Sequence, residues 1–250
     1  MSFSETGHAQ NAAKFKVIIV KVTALGTGYN PSKAAIKLLG LNTVSTNADA
    51  SILAVDNAFT PWQNATNARE IPFSGLSART TLIINALKAT DATAQTIKDA
   101  IFLEKKIQGK LISSKVPVVN PPDPNAPVYI SASQMQFDSR IENFGKLLIL
   151  LGAEPLYTPN EDNLKLAGTE GLTAYLATLT STNTAVISAA ETLLQARKAR
   201  NIVLYKDGSG LFDIQRAVRR YIRSLPSQRA LSHELALLVF SRPKKKDRPS

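Results

Sequence analysis

Four arginines near the C-terminus have the spacing of a single helix face. Arg216, Arg219, Arg220 and Arg223 stand at positions i, i+3, i+4 and i+7, so a helix over this segment would align them in one stripe. A row of guanidinium groups can follow the phosphates of a nucleic acid or lie on an anionic membrane surface. The alternative is a solvated face that keeps a helical protein soluble. The spacing leaves both interpretations open.

Further basic residues surround this stripe. Residues 203–250 contain 11 Lys/Arg against 4 Asp/Glu, within a chain of 250 residues whose net charge is +11. The excess of positive charge is therefore concentrated at the C-terminal end. The complete set predicted to contact an anion or a nucleic acid is Arg197, Lys198, Arg200, Arg216, Arg219, Arg220, Arg223, Lys244, Lys245 and Lys246.

Other reactive residue types are sparse. The chain has no cysteine and two histidines, and neither His8 nor His233 has a partner at the spacing of a metal site or a catalytic triad. We expect His8 to lie in a frayed N-terminus. Glu161 and Asp162 are better explained by the start of a helix than by acid–base catalysis. The sequence predicts no catalytic residue, metal site or cofactor, and a protein that is not an enzyme.

Three blocks of the sequence recur in the same order. The first block is Tyr29, Pro31, Lys37, Leu38 and Gly40, which recurs as Tyr157, Pro159, Lys165, Leu166 and Gly168. The second block is Ala54, Val55, Ala58, Ala65, Ala68, Arg69 and Ile71, which recurs as Ala185, Val186, Ala189, Ala196, Ala199, Arg200 and Ile202. The third block is Ser74-Gly75-Leu76, which recurs as Ser209-Gly210-Leu211. The offset between counterparts is constant within a block and increases slightly from each block to the next, so short insertions separate the blocks. This pattern predicts an internal duplication. The arginine stripe belongs to the second copy alone.

Each repeat predicts three helices. In the first repeat, the β-branched run Phe15–Val22 locally favours a strand, but its counterpart in the second repeat has the helical spacing of Ile141, Phe144, Leu148 and Leu151, so we expect a helix. The second helices are predicted at 32–69, with possible breaks at Gly40 and Pro61, and from the cap Pro159-Asn160 to about 200, with possible breaks near Gly168 and Gly171.

The third helices follow turns at 71–74 and 205–209. They are predicted at 77–108, with Gly109 as a C-terminal stop, and at 211–225, with Pro226 ending the helix. A last short helix is expected within 227–240.

The chain divides into five parts. These are an N-terminal tail at 1–7, a helical repeat at 8–108, a linker at 109–130, a second repeat at 131–240 and a basic disordered tail at 241–250. Five prolines at 115–127 rule out a regular helix in the linker. The predicted fold class is all-α, with a duplicated three-helix unit that forms a six-helix array or two contiguous bundles.

The second repeat carries a resemblance. With Tyr-x-Pro-Asn-Glu at 157–161, Ala-Arg-Lys-Ala-Arg-Asn at 196–201 and Ile-Gln-Arg-Ala-Val-Arg-Arg-Tyr-Ile at 214–222, the chain resembles a family of hypothetical helical proteins associated with Bacteroidetes genomes. The resemblance covers nearly the whole chain. It implies helical structure and a cytoplasmic bacterial setting, and it implies no function.

These observations favour a non-enzymatic structural or interaction protein that works through a helical surface. Its partner would be another protein or a second copy of the chain. The alternative is a protein that binds nucleic acid or an anionic surface through the arginine face and the lysine-rich tail. The apolar run at 15–25 is too short to cross a bilayer and contains two lysines, so we expect no membrane span and a cytoplasmic location.

Overall fold

The computed structural model describes residues 3–110 and 136–242, and every secondary-structure element within these two stretches is a helix. The seven α-helices are α1 (Phe3–Thr23), α2 (Leu38–Lys88), α3 (Ala94–Gln108), α4 (Phe137–Gly152), α5 (Leu172–Tyr205), α6 (Leu211–Arg223) and α7 (Arg229–Leu237). Short 3₁₀ turns occupy Gly26–Gly28, Ala34–Ile36 and Pro226–Gln228. The all-α prediction is confirmed. No helix in these two described stretches is long and apolar enough to cross a membrane.

The first helix forms although its sequence locally favours a strand. Phe15, Ile18 and Val22 are completely buried along one face of α1, and their spacing of three and four residues matches the helical period. Burial of these three side chains outweighs the small intrinsic preference of β-branched residues for strands. The predicted helix over Phe15–Val22 is confirmed.

The second helix is longer than predicted. It runs from Leu38 to Lys88 without interruption, so the possible break at Pro61 and the turn expected at 71–74 are wrong. Pro61 and Pro72 each remove one backbone hydrogen bond. Buried side chains nevertheless lie before Pro61, with Val55 and Ala58 at 2% and 8% exposure, and after Pro72, with Phe73 and Leu76 at 4% and 0% exposure. Continuous packing of the helix therefore compensates for the missing bonds.

The helix predicted at 77–108 is divided into two. The end of α2 is followed by a turn at 89–93, and Thr93 then caps α3 by accepting a hydrogen bond from the amide of Thr96 at 3.1 Å. At the other end of α3, Gly109 has φ of 67°, which is the left-handed conformation of a C-terminal stop. That stop is confirmed.

The helix start predicted at Pro159-Asn160 is wrong, because α5 begins at Leu172. The preceding segment folds as irregular turns, and the amide of Leu172 donates to the carbonyl of Lys165 at 2.8 Å. The turn at 205–209 and the helix that follows it are confirmed by α6, and Pro226 lies just after its end.

The chain forms two compact units. Unit 1 contains the described residues up to Trp62 and from Ala189 onward, and unit 2 contains the described part of Gln63–Ser188. The unit boundaries fall inside α2 and α5, so each unit combines segments of both predicted repeats. In unit 1, α1 packs with α6 and α7 around a core that includes Phe15, Ile18, Ile214, Val218 and Ile222. In unit 2, α3 packs on α4, and the core includes Leu76, Ile83, Leu87, Phe144 and Leu147.

Two turns have the same internal geometry. The hydroxyl of Tyr29 donates to the carbonyl of Ile36 at 2.6 Å, and the hydroxyl of Tyr157 donates to the carbonyl of Leu164 at 3.0 Å. Each bond therefore spans seven residues, and we call Tyr29 and Tyr157 the turn tyrosines. Both are only 6% exposed, and burial raises the pKa of each to about 12.

Candidate functional site

The predicted basic residues of the described chain lie in unit 1, on α5 and α6. Side chains on one face of α6 pack into the core, with Leu211, Ile214, Val218 and Ile222 almost completely buried. This leaves the opposite face of the helix for the charged side chains. Arg216, Arg220 and Arg223 are exposed there, and we call these three residues the α6 basic row.

Members of the row have few partners. Arg216 has a long ion pair with Asp213 at 3.8 Å. Neither Arg220 nor Arg223 has a side-chain ion pair or hydrogen bond within residues 3–110 and 136–242. Positions i, i+4 and i+7 keep the three guanidinium groups on one side of the helix. The row is therefore available to an external anion.

Arg219 has a different role from the rest of its stripe. Its Nη2 donates to the carbonyl of Leu238, and its guanidinium lies 5.2 Å from the ring centre of Phe240. Burial, followed by the charge of Arg223, lowers its pKa below the ordinary value. Arg219 therefore holds the segment that follows α7, and it is not part of the exposed row.

The other predicted contact residues divide in the same way. Lys198 is exposed on α5 and Arg197 is half-buried. Arg200 is only 4% exposed, and it hydrogen-bonds to Asn201 Oδ1, so its guanidinium is directed into the protein. Lys244, Lys245 and Lys246 lie outside the described residues.

A cavity lies beside the row, between α6 and the C-terminal segment. It has a volume of about 420 Å³ and is lined by Phe212, Gln215, Arg216, Arg219, Ala236, Val239 and Phe240. Two of its buried polar atoms, Gln215 Oε1 and Arg219 Nε, have no hydrogen-bond partner among the described groups. The cavity therefore combines aromatic walls with two arginines, and beneath its surface two buried polar atoms have unused hydrogen-bonding capacity. We call it the α6 groove.

The segment that forms one wall of the groove is anchored to α1 and to the end of α5. Lys14 Nζ donates to the carbonyl of Val239 at 2.7 Å. Asn11 donates to the carbonyl of Ser241 at 2.7 Å and accepts from the Ser241 amide at 3.2 Å. Arg242 donates to Asp207 and to the carbonyl of Tyr205. Sequence patterns did not indicate this anchoring, because each bond joins residues distant in the chain.

His8 also departs from its prediction. It is 3% exposed, and its Nδ1 lies 2.8 Å from the hydroxyl of Tyr205. The frayed N-terminus expected around His8 is therefore wrong. His233 is exposed on α7. In the described stretches, no group of three or more His, Cys, Asp or Glu residues could hold a metal ion.

Unit 2 contains a separate polar network and a second cavity. Arg69 donates to Asn183 Oδ1 at 3.0 Å, and Asn183 donates to Asp138 at 2.6 Å. The cavity has a volume of about 400 Å³ and lies beside Tyr157, against the end of α2.

Comparison with known proteins finds no matching family model, no matching curated protein and no matching solved structure.

Proposed function

We propose that this chain is a non-enzymatic helical interaction protein whose partner-binding surface is the α6 groove together with the α6 basic row, of which Arg216 lines the groove. The proposal is carried by one observation: Arg216, which is exposed and weakly paired, lines a cavity with aromatic walls and shares its helix face with two further exposed arginines. Arginine and aromatic residues are the types enriched where proteins bind one another. The surface is suited to a protein segment that has acidic and apolar side chains. The proposed setting is cytoplasmic, as the family resemblance implies.

Charge favours a different protein over a second copy as the partner. The chain has a net charge of +11, and the row places three positive charges on one face of a helix. Two such faces would repel each other, whereas an acidic partner would be attracted over a distance of about 10 Å at moderate salt.

The test is quantitative affinity capture followed by mass spectrometry. The variant Arg216→Glu/Arg220→Glu/Arg223→Glu reverses the row. A control with the same change in net charge is Lys88→Glu/Lys98→Glu/Lys110→Glu, in which three exposed lysines of unit 2 are reversed. We expect a partner that binds the wild type and the control but is lost from the row variant. Equal recovery of the same proteins by all three forms would contradict the proposal.

The second candidate function is binding of a nucleic acid. It is favoured by the spacing of the row, because three exposed guanidinium groups on one helix face can pair with a phosphate backbone. Such binding weakens with salt, with a slope in log–log form of about −0.9 per phosphate contact on duplex DNA. Neutralising the three arginines to glutamine should therefore reduce the slope by about 3.

Fluorescence anisotropy with a labelled random-sequence duplex, between 50 and 200 mM salt, measures this change. Arg219 should not be altered in this assay, because its bond to Leu238 holds the groove together. Absence of binding at the lowest salt, or a slope unchanged in the triple variant, would eliminate this candidate.

We further propose that the two repeats are copies of one three-helix unit. The paired turn tyrosines support it, because each hydroxyl donates to the carbonyl seven residues later.

Buried positions support the same proposal. Leu76, Thr80, Ile83 and Leu87 near the end of α2 are buried, as are Leu211, Gln215, Val218 and Ile222 of α6. When the two sets are paired in order, the residues of each pair are separated by the same number of positions as Ser74 and Ser209 of the third sequence block.

A further inference from the structure

The turn tyrosines have equivalent backbone settings but different neighbours. The amide of Tyr29 donates to the carbonyl of Gly26 at 3.2 Å, and that of Tyr157 donates to the carbonyl of Glu154 at 3.1 Å. Each hydroxyl donates to the carbonyl seven residues later. The two rings are therefore held in the same way by their own turns, and any difference between them comes from the packing around the turn.

In unit 1, a second phenol ring packs on the turn. The ring centres of Tyr29 and Tyr221 are 5.4 Å apart at an interplanar angle of 82°, which is a favourable edge-to-face contact. The amide of Asn30 donates to the hydroxyl of Tyr221 at 3.1 Å. The turn therefore provides both an aromatic surface and a hydrogen-bond donor, and Tyr221 uses both.

In unit 2, the corresponding ring is missing. The third sequence block aligns α6 with the end of α2. In this alignment, Ala86 is the counterpart of Tyr221. Ala86 lines the cavity of about 400 Å³ beside Tyr157. Leu82 is the counterpart of Ala217 and has the larger side chain of the two. Because 49% of the surface of Leu82 is exposed, this side chain does not fill the cavity. The cavity therefore lies where a phenol ring lies in the other unit.

The polar group that binds the phenol hydroxyl in unit 1 also differs in unit 2. Thr158 is the counterpart of Asn30, and its amide donates to the carbonyl of Leu156 at 3.1 Å. This bond spans only two residues and closes a γ-turn around Tyr157. A hydroxyl in the cavity would share this amide with the carbonyl of Leu156, in the place that Tyr221 has at Asn30.

We propose that the cavity beside Tyr157 binds a small neutral phenol, with the ring edge-to-face against Tyr157 and the hydroxyl at the amide of Thr158. The volume of about 400 Å³ is within the range of small-molecule sites. Leu82, Leu164 and Ala86 supply apolar walls. Glu161 on the rim disfavours a carboxylate on the ligand. This site is independent of the α6 groove, and it rests on the proposed duplication of the two repeats.

The test uses p-cresol, which is the side chain of tyrosine as a free molecule, and a protein whose leucine methyl groups are labelled with ¹³C. We expect saturable shifts of the methyl signals of Leu82, Leu156 and Leu164, with a dissociation constant on the order of 0.1–10 mM for a ligand of this size. Toluene lacks the hydroxyl and should bind about fivefold more weakly, since one net hydrogen bond is lost.

Two variants separate occupancy of this cavity from nonspecific binding. Ala86→Tyr recreates the tyrosine found in unit 1, and it should abolish the shifts by filling the site from within. Ala78→Tyr places the same ring at an exposed position of the same helix, and it should leave binding unchanged. Circular dichroism verifies that both variants fold.

Several results would overturn the proposal. They are the absence of saturable shifts up to the solubility limit of p-cresol, equal affinity for toluene, or binding that survives in folded Ala86→Tyr.

If Ala86→Tyr does not fold, competition between p-cresol and 4-hydroxyphenylacetate in the wild type replaces it. Tighter binding of the carboxylate would then contradict a neutral site beside Glu161. Binding of a blocked tyrosine peptide without binding of p-cresol would overturn the assignment to a small molecule.

Discussion

Removal of the turn-tyrosine hydroxyls measures how much each turn contributes to stability. In Tyr29→Phe the carbonyl of Ile36 loses a buried donor at 2.6 Å, and in Tyr157→Phe the carbonyl of Leu164 loses one at 3.0 Å. A net hydrogen bond contributes about 1 kcal/mol, and leaving a buried acceptor unsatisfied brings the total cost to about 1–3 kcal/mol. Tyr29 has the shorter bond, so we expect its substitution to have the larger effect.

Urea unfolding followed by circular dichroism gives both values. The slope of free energy against urea should remain constant, because neither change alters the surface exposed on unfolding. Tyr221→Phe is the control, since its hydroxyl only accepts from an exposed amide, and it should cost less than about 1 kcal/mol. If both turn variants lay within about 0.5 kcal/mol of the wild type, the hydroxyl bonds would not be stabilising and the argument would be refuted.

Three further predictions concern the same fold. Burial raises the pKa of both turn tyrosines from 10.0 to about 12, so the folded state retains protons that the unfolded state loses, and stability should decrease by up to about 2–3 kcal/mol per tyrosine between pH 10 and 12. Burial also raises the pKa of Tyr175 and Tyr205, so in an absorbance titration at high pH Tyr29→Phe and Tyr157→Phe should each remove one of several late phenols. Gly40→Ala and Gly171→Ala bring a Cβ against backbone oxygen and should each cost about 2 kcal/mol or more in urea unfolding, whereas Gly28→Ala has open space and should be nearly neutral. Asn183→Ala removes the acceptor of Arg69 and should cost about 2 kcal/mol; a cost below about 0.5 kcal/mol would mean that water replaces the network.

Local patterns together with the repeated blocks predicted much of the helical structure. The helix over Phe15–Val22 was predicted only because its counterpart, with Phe144, had a clear helical period. Gly109 was correctly predicted as a helix stop, because a left-handed residue after a helix is a local requirement that glycine meets best. The stripe of α6 was also predictable, since its apolar and basic residues alternate with the period of a helix.

Long-range packing accounts for what the sequence did not predict. Pro61 and Pro72 are local signals for a break, but α2 continues through both because buried side chains pack the helix before Pro61 and after Pro72. His8 looked terminal, although it contacts Tyr205 from 197 residues away. Arg219 and Arg223 were equivalent members of one stripe in the sequence. Only the packing of the C-terminal segment distinguishes the partly buried one from the exposed one.

Site-specific photo-crosslinking tests the central claim, that the partner binds at α6, most directly. Ser224 lies at the end of α6, is exposed, and donates to the carbonyl of Tyr221 at 2.7 Å. Ser74 on α2 is an exposed serine with the same kind of bond to Ile71, also at 2.7 Å. With a photoreactive residue at either position in cells, we predict a protein adduct from position 224 that disappears when Arg216, Arg220 and Arg223 are reversed, and no such adduct from position 74. Adducts from position 74 alone, or adducts from 224 that persist after reversal of the row, would contradict the account.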